Sequence, residues 1–382
     1  MSPIKTILAE KRVLLVLGPG GVGKTTSSIA LALLGAKMGK KVGLLSIDPA
    51  KRLAVAMGLH FGSRLHKVDL QDGGQGKGEL YACMLDQASV FDSMVTKFSS
   101  EKMAKAIFKN PIYQQASRNL GGPLEYMAMA KLSQLVEDEA FDLIVVDTPP
   151  DSHAIDFLVK PHILSGFVET GVMKWLIKPF YLAGKLGMGR ILSFGEKLMG
   201  GVAEVTGVKM LERFSEFLVQ MDGVIQGFHQ SSDFVARKLR EKETGFLVAL
   251  SAFPSSFRSG KNLQKELFAA GFPLDGFLLN RVLPAWQQEA LKEYVALKDG
   301  KKLKANPVFD KLWEKSAITQ KEAGSLQVEY RSLFGKDAVL LGIPEIEDFS
   351  HSLSGMEVFC DLLEKAGPYS PGPGPGPGPS GR

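Results

Sequence analysis

Gly18-Pro-Gly-Gly-Val-Gly-Lys-Thr25, followed by a second threonine at Thr26, fits the pattern Gly-x-x-x-x-Gly-Lys-Ser/Thr of a phosphate-binding loop. The flanks supply the context this motif needs. Val13-Leu-Leu-Val-Leu17 is a short apolar run of buried-strand type, and Ser27-Ser-Ile-Ala-Leu-Ala-Leu-Leu-Gly-Ala36 is a good helix former. Gly18, Gly20, Gly21 and Gly23, with Val22 between them, let the backbone turn tightly and aim N–H groups at phosphate oxygens, while the following helix N-terminus adds its dipole. Lys24 then reaches the β and γ phosphates, the Thr25 hydroxyl is placed to ligate Mg²⁺, and Thr26 donates to the α phosphate.

Such a loop needs an acidic partner on a neighbouring strand. Phe141-Asp-Leu-Ile-Val-Val-Asp147 supplies one: four consecutive apolar residues ending in a carboxylate describe a strand buried on both faces. Asp147 is expected in the Mg²⁺ shell through a water molecule. A second strand, Lys41 to Ile47, leads into Asp48-Pro-Ala-Lys-Arg52, which puts Asp48 where open parallel sheets bind ligands. Asp48 is a candidate for positioning the attacking water, and equally a helix cap before Pro49. The segment Asp151 to Leu158 directly follows the acidic strand and can sense the γ phosphate. Asp151 and His153 are its candidate switch residues, His153 reading more readily as a packing or capping residue.

Strands are further expected over 80–85, 245–250, 274–280 and 338–343, with helices over 88–139 (broken near Pro111 and Pro123), 261–270, 287–304, 307–334 and 356–365. The fold class is α/β: a phosphate-loop NTPase with a mostly parallel, doubly wound sheet and an inserted helical subdomain. The expected core is 1–164 with 241–366, and the helical subdomain is 165–240 with helices from 88–140. Residues 367–382 alternate Pro and Gly and read as an extended, disordered tail. In the subdomain Met188, Met199, Met210 and Met221 recur every eleven residues, close to three helical turns, although Gly207 and its neighbouring glycines argue against one continuous helix. A methionine stripe of this kind reads as subdomain core, or as a groove for varied apolar partners.

Composition narrows the function classes. With 382 residues, 45% hydrophobic and 23% charged, the chain carries a large core. The net charge of +5 is spread along amphipathic helices and reads as a solvated face, so no nucleic-acid partner is expected. Two cysteines, Cys83 and Cys360, are too few for a disulfide framework and suit a reducing compartment. With neither a signal peptide nor a spanning segment in the pattern, a soluble cytoplasmic protein is expected.

Taken together, the chain resembles the arsenite-pump ATPase family, which includes the ATPases that target tail-anchored membrane proteins. The carrying motifs are Gly18 to Thr26, Ser46-Ile-Asp-Pro-Ala50, Val146-Asp-Thr-Pro-Pro150 with His153, Leu279-Asn280-Arg-Val282, and Pro344 after the last strand, and the likeness covers roughly residues 10–366. The resemblance implies that Asp48 orients the hydrolytic water, that Asp147 to His153 form a second switch, and that Asn280 recognises adenine under a loop beginning at Pro344. It also implies ATP and Mg²⁺ as ligands, and a homodimer whose helical subdomain rearranges with nucleotide state. Two departures stand out. The family's wider class carries a second lysine just after the first glycine, and Pro19 occupies that position here, leaving Lys51 or Arg52 as substitute cations. The zinc and arsenite cysteines are missing, and no zinc or iron–sulfur cluster is expected. The reading is therefore an ATP-hydrolysing switch handling a protein client, with an apolar or membrane-protein segment as the candidate cargo. The alternatives are the energising subunit of an anion or metalloid pump, and a slow nucleotide switch or positioning ATPase working through partner binding.

Overall fold

The computed structural model describes residues 2–47, 64–70, 78–111, 113–114, 124–149, 205–300, 302–347 and 349–369. Asp48, Lys51, Arg52, Asp151, His153, Met188 and Met199 lie outside these residues.

The apolar run before the glycine loop forms β1 (Val13–Leu17), and the helix after it is α2 (Lys24–Lys37), preceded by a short helix α1 (Pro3–Glu10). There follow β2 (Lys41–Ser46), β3 (His66–Lys67), β4 (Glu79–Met84), α3 (Gln87–Phe98), α4 (Glu101–Lys109), α5 (Leu124–Glu137) and β5 (Leu143–Asp147). Among the remaining described residues come α6 (Val205–Lys238), β6 (Thr244–Ser251), α7 (Pro254–Ala269), β7 (Gly276–Val282), α8 (Ala285–Asp299), α9 (Pro307–Phe334), β8 (Val339–Pro344) and α10 (Leu353–Lys365).

The eight strands form one sheet in the order β3-β4-β2-β5-β1-β6-β7-β8, parallel throughout except for the β3–β4 pair. The α/β fold class with a mostly parallel sheet is thus present. Alternate residues Leu14, Val16, Leu143, Val145, Leu247 and Ala249 share one buried cluster with α1, α2 and α10. The residues between them, Leu15, Leu17, Ile144, Val146, Phe246 and Val248, are buried too, so both faces of the sheet are covered, as a parallel sheet requires. Helix α2 is apolar nearly all round. Ile29, Leu31, Leu33 and Leu34 are buried on different sides of it, which fits a helix enclosed between the sheet and the outer helices α1 and α10. Each such side chain contributes about 1.5–3 kcal/mol on burial, so this helix and its loop are held firmly in register with the strands.

The chain folds into two compact units, Met1–Leu85 with Leu135–Asp156 and Arg237–Arg382, and Asp86–Gln134 with Phe157–Ala236. In the second unit Phe91 stacks on Tyr113, and the Tyr113 hydroxyl donates to Asp92. Helix α6 begins at Val205 and runs unbroken through Gly207, Gly223 and Gly227, and whether one helix joins Met188 to Met221 lies outside the described residues. On it Met221 is buried, at 4% exposure, a core position. Helix α7 begins at Pro254, earlier than the periodicity indicates, because proline is well suited to a first helical turn. Beyond α10, Pro368 bridges antiparallel to Leu341, and the Tyr369 N–H donates to Leu340 O at 2.6 Å. These two residues of the Pro-Gly stretch therefore lie along β8.

Candidate active site

Parallel register brings the strand ends carrying the motif residues to one edge of the sheet. Asp147 of β5 stands opposite Val16 of β1 and Ser46 of β2, while Asn280 of β7 stands opposite Ser251 of β6. The glycine loop leaves β1 at this edge and enters α2 at Gly23, which caps the helix with a left-handed backbone at φ +92°. The partial positive charge of the helix N-terminus is thereby directed at the loop.

Lys24 opens the helix and is buried, with 6% exposure. Its Nζ donates to the Gly18 and Pro19 carbonyls at 2.8 and 2.9 Å, folding the ammonium back across the loop it belongs to. Asp147 is fully buried. Its Oδ2 accepts from Thr25 Oγ1 at 2.8 Å and from Ser46 Oγ at 3.0 Å, and its Oδ1 accepts from Ser28 Oγ at 3.4 Å. Thr25 and Ser28 reach the same carboxylate because a three-residue spacing puts them on one helix face. Thr148 Oγ1 donates to Val16 O at 2.8 Å, tying the residue after the carboxylate back to β1. Ser28 is a site residue that the motifs do not mark, while Ser46 and Thr148 lie within quoted motifs that do not assign them these hydrogen bonds. The i, i+3 pairing of Thr25 with Ser28 is readable in the sequence, whereas the reach of Ser46 depends on β2 lying beside β5.

Asn280 is buried at the same edge, its Nδ2 donating to Val22 O at 3.1 Å. Pro344 ends β8 opposite Val282, and Glu345 N–H donates to Val282 O. The described residues thus bring together Gly18 to Thr26, Asp147 and Asn280, with Pro344 one strand further along. A strand, a glycine loop with its lysine, and a threonine bound to a buried strand-end carboxylate form the arrangement of a nucleotide-hydrolysing site. A family model described as "Anion-transporting ATPase" matches residues 11–321.

The chain belongs to the anion-transporting ATPase family.

Similar proteins point the same way. An ATPase GET3 from Malassezia globosa is 29% identical over 302 residues, covering 78% of this chain and 82% of that protein. An ATPase get3 from Aspergillus terreus is 28% identical over 291 residues, covering 74% and 77%. An ATPase GET3 from Mycosarcoma maydis is 28% identical over 282 residues, covering 73% and 76%. As a member of this family the chain is an ATPase, which implies a nucleotide and Mg²⁺ in general. The donor set fits both. Thr25 and Asp147 offer the hard oxygen ligands that Mg²⁺ prefers, and the loop offers a cation and backbone amides for phosphate. Among the described residues, no helix is long and apolar enough to cross a membrane. Cys83 and Cys360 are both buried.

Proposed function

We propose that this ATPase couples ATP binding and hydrolysis to the capture and release of an apolar, membrane-destined protein segment, acting as a cytoplasmic homodimer. The observation that carries the reading is the Thr25–Asp147 pair at the glycine loop, in a chain similar over most of its length to three proteins named ATPase GET3. The core is read as 1–164 with 241–366, and the client-handling subdomain as 165–240 with helices from 88–140.

In this reading Lys24 leaves the Gly18 and Pro19 carbonyls for the β and γ phosphate oxygens, and the loop amides from Gly18 to Thr26 hold the phosphate chain. Thr25 and Asp147 would hold Mg²⁺, Asp147 through water. When bound, Mg²⁺ neutralises charge on the β and γ oxygens. Asp48 orients the attacking water, and Asp151 and His153 respond to loss of the γ phosphate. Asn280 and the loop beginning at Pro344 receive the adenine. The client reading is favoured over a metalloid pump because the chain has only two cysteines to offer a soft ion.

The test is turnover and capture by the full chain. Expected are Mg²⁺-dependent phosphate release, loss of it in Asp48→Asn, and nucleotide-dependent crosslinking to a peptide carrying a single transmembrane segment. Activity stimulated by arsenite or antimonite, with no crosslinking to the peptide, would overturn the client reading. An unchanged monomer mass with ADP and with a non-hydrolysable ATP analogue would overturn the dimer.

A further inference from the structure

The side-chain amide of Asn280 is engaged on the phosphate side of the site. Its Nδ2 donates to the Val22 carbonyl at 3.1 Å, and its Oδ1 accepts the Arg281 backbone N–H at 2.9 Å. The contact with the loop is close. A Cβ added at Gly23 would lie 2.4 Å from Asn280 Nδ2, so a larger residue at that position collides with the amide itself. The other end of the amide is held by an unusual backbone. Arg281 has φ +59°, and the β7–β8 register slips between Asn280 and Val282. A non-glycine residue in the left-handed region is strained, and the Arg281 side chain is exposed, so burial does not offset the strain. The N–H of this same strained residue is the one that Asn280 Oδ1 accepts.

We propose that Asn280 is a positioning residue for the phosphate loop: it fixes the Val22 carbonyl from β7, and the strained Arg281 backbone fixes Asn280. A trans peptide holds its C=O and N–H on opposite sides. Fixing the Val22 carbonyl therefore also sets the direction of the Gly23 N–H, one of the loop's phosphate donors. This role is independent of the base and deepens the reading in which Asn280 also receives adenine, since the Nδ2 amine has two N–H donors and the Val22 bond uses one.

The two roles separate with a ligand that has no base. Isothermal titration of the full chain with Mg²⁺·tripolyphosphate, Mg²⁺·ATP and Mg²⁺·GTP is compared for the wild type, Asn280→Ala, Arg281→Val and Arg281→Gly. Loss of one hydrogen bond of about 1 kcal/mol corresponds to roughly a fivefold change in affinity. Asn280→Ala is expected to weaken tripolyphosphate by roughly fivefold or more. Arg281→Val, β-branched and ill-suited to positive φ, is expected to weaken it similarly without touching Asn280, while Arg281→Gly keeps wild-type affinity. Should Asn280→Ala be too poorly folded to titrate, the Arg281 pair decides. Tripolyphosphate binding unchanged in Asn280→Ala or in Arg281→Val overturns the positioning role, as does a wild-type chain that binds ATP but not tripolyphosphate. A collapsed preference for ATP over GTP with tripolyphosphate unaffected leaves only the base role. Weakened tripolyphosphate with an unchanged preference supports the positioning role and removes the base role.

Discussion

Thr25 Oγ1 and Asp147 Oδ2 are 2.8 Å apart, joined by a hydrogen bond across 122 positions of the chain. The hydroxyl and the carboxylate thus present their oxygens together, one from the start of α2 and one from the end of β5. Asp147→Asn keeps the shape and removes the charge. The expected result is a fall in kcat of about 10²-fold with the far-ultraviolet circular dichroism unchanged, measured by steady-state phosphate release. Turnover within a factor of two of wild type would remove Asp147 from the hydrolytic machinery.

Ser46 supports the same carboxylate from β2 and is itself buried at 1% exposure. Ser46→Ala removes one of the hydroxyls that stabilise a buried charge, a loss of about 1–3 kcal/mol. Urea denaturation should show the lowered stability, and kcat should fall several-fold as Asp147 loses a fixed orientation. Ser46→Thr, which keeps the hydroxyl, is expected to recover most of the turnover.

In the second compact unit, a Cβ added at Gly227 of α6 would lie 2.2–2.5 Å from three ring atoms of Phe98, at the end of α3. Alanine gains about 1 kcal/mol over glycine in a helix interior, but overpacking a ring costs typically about 1–3 kcal/mol. Gly227→Ala is expected to destabilise the protein, and in a Phe98→Ala background the same change should stabilise it. A double-mutant cycle read by denaturant unfolding checks the reversal. Equal effects in both backgrounds would show that the ring is not the obstacle.

Burial pushes the Cys360 thiol up from 9.0 to about 12, with the nearby Lys37 opposing and Asp361, Glu364 and Glu357 adding to the rise. A folded-state value above the unfolded one means that the stabilisation is complete below about pH 9 and is lost as the pH climbs towards 12. Relative to Cys360→Ala, the wild type should lose stability across that window with a slope of up to about 1.4 kcal/mol per pH unit. Parallel stability curves for the two proteins would contradict a neutral, enclosed thiol.

The sequence is most informative where the determining interactions are local. The glycine loop, the strand before it and the helix after it are contiguous, and the four apolar residues before Asp147 carry their own strand signal, so this half of the site is legible. Ser46 and the Asn280–Val22 bond are not, because both depend on strand order, and a parallel sheet places β2 and β7 on opposite sides of β1 for reasons no local pattern states. Two-residue β3 is too short to leave a periodicity. Arg281 is invisible for a related reason: nothing in its residue type marks a left-handed backbone, which follows from the slip between β7 and β8. Helix α6 runs against its glycines because packing can override intrinsic propensity, as the fit of Gly227 against Phe98 illustrates.

Pro368 and Tyr369, lying along β8, have a bearing on solubility. Among the described residues, strand β8 is the last strand of the sheet order, and an outermost strand offers backbone donors and acceptors that can template pairing with another molecule. Tyr369 takes up the Leu340 carbonyl with its N–H, and its ring covers Gly342, while proline at 368 has no N–H with which to continue a ladder. The chain thus shields its own sheet border with a segment that is itself a poor strand partner, and removing it would leave a bare edge where protein molecules can aggregate.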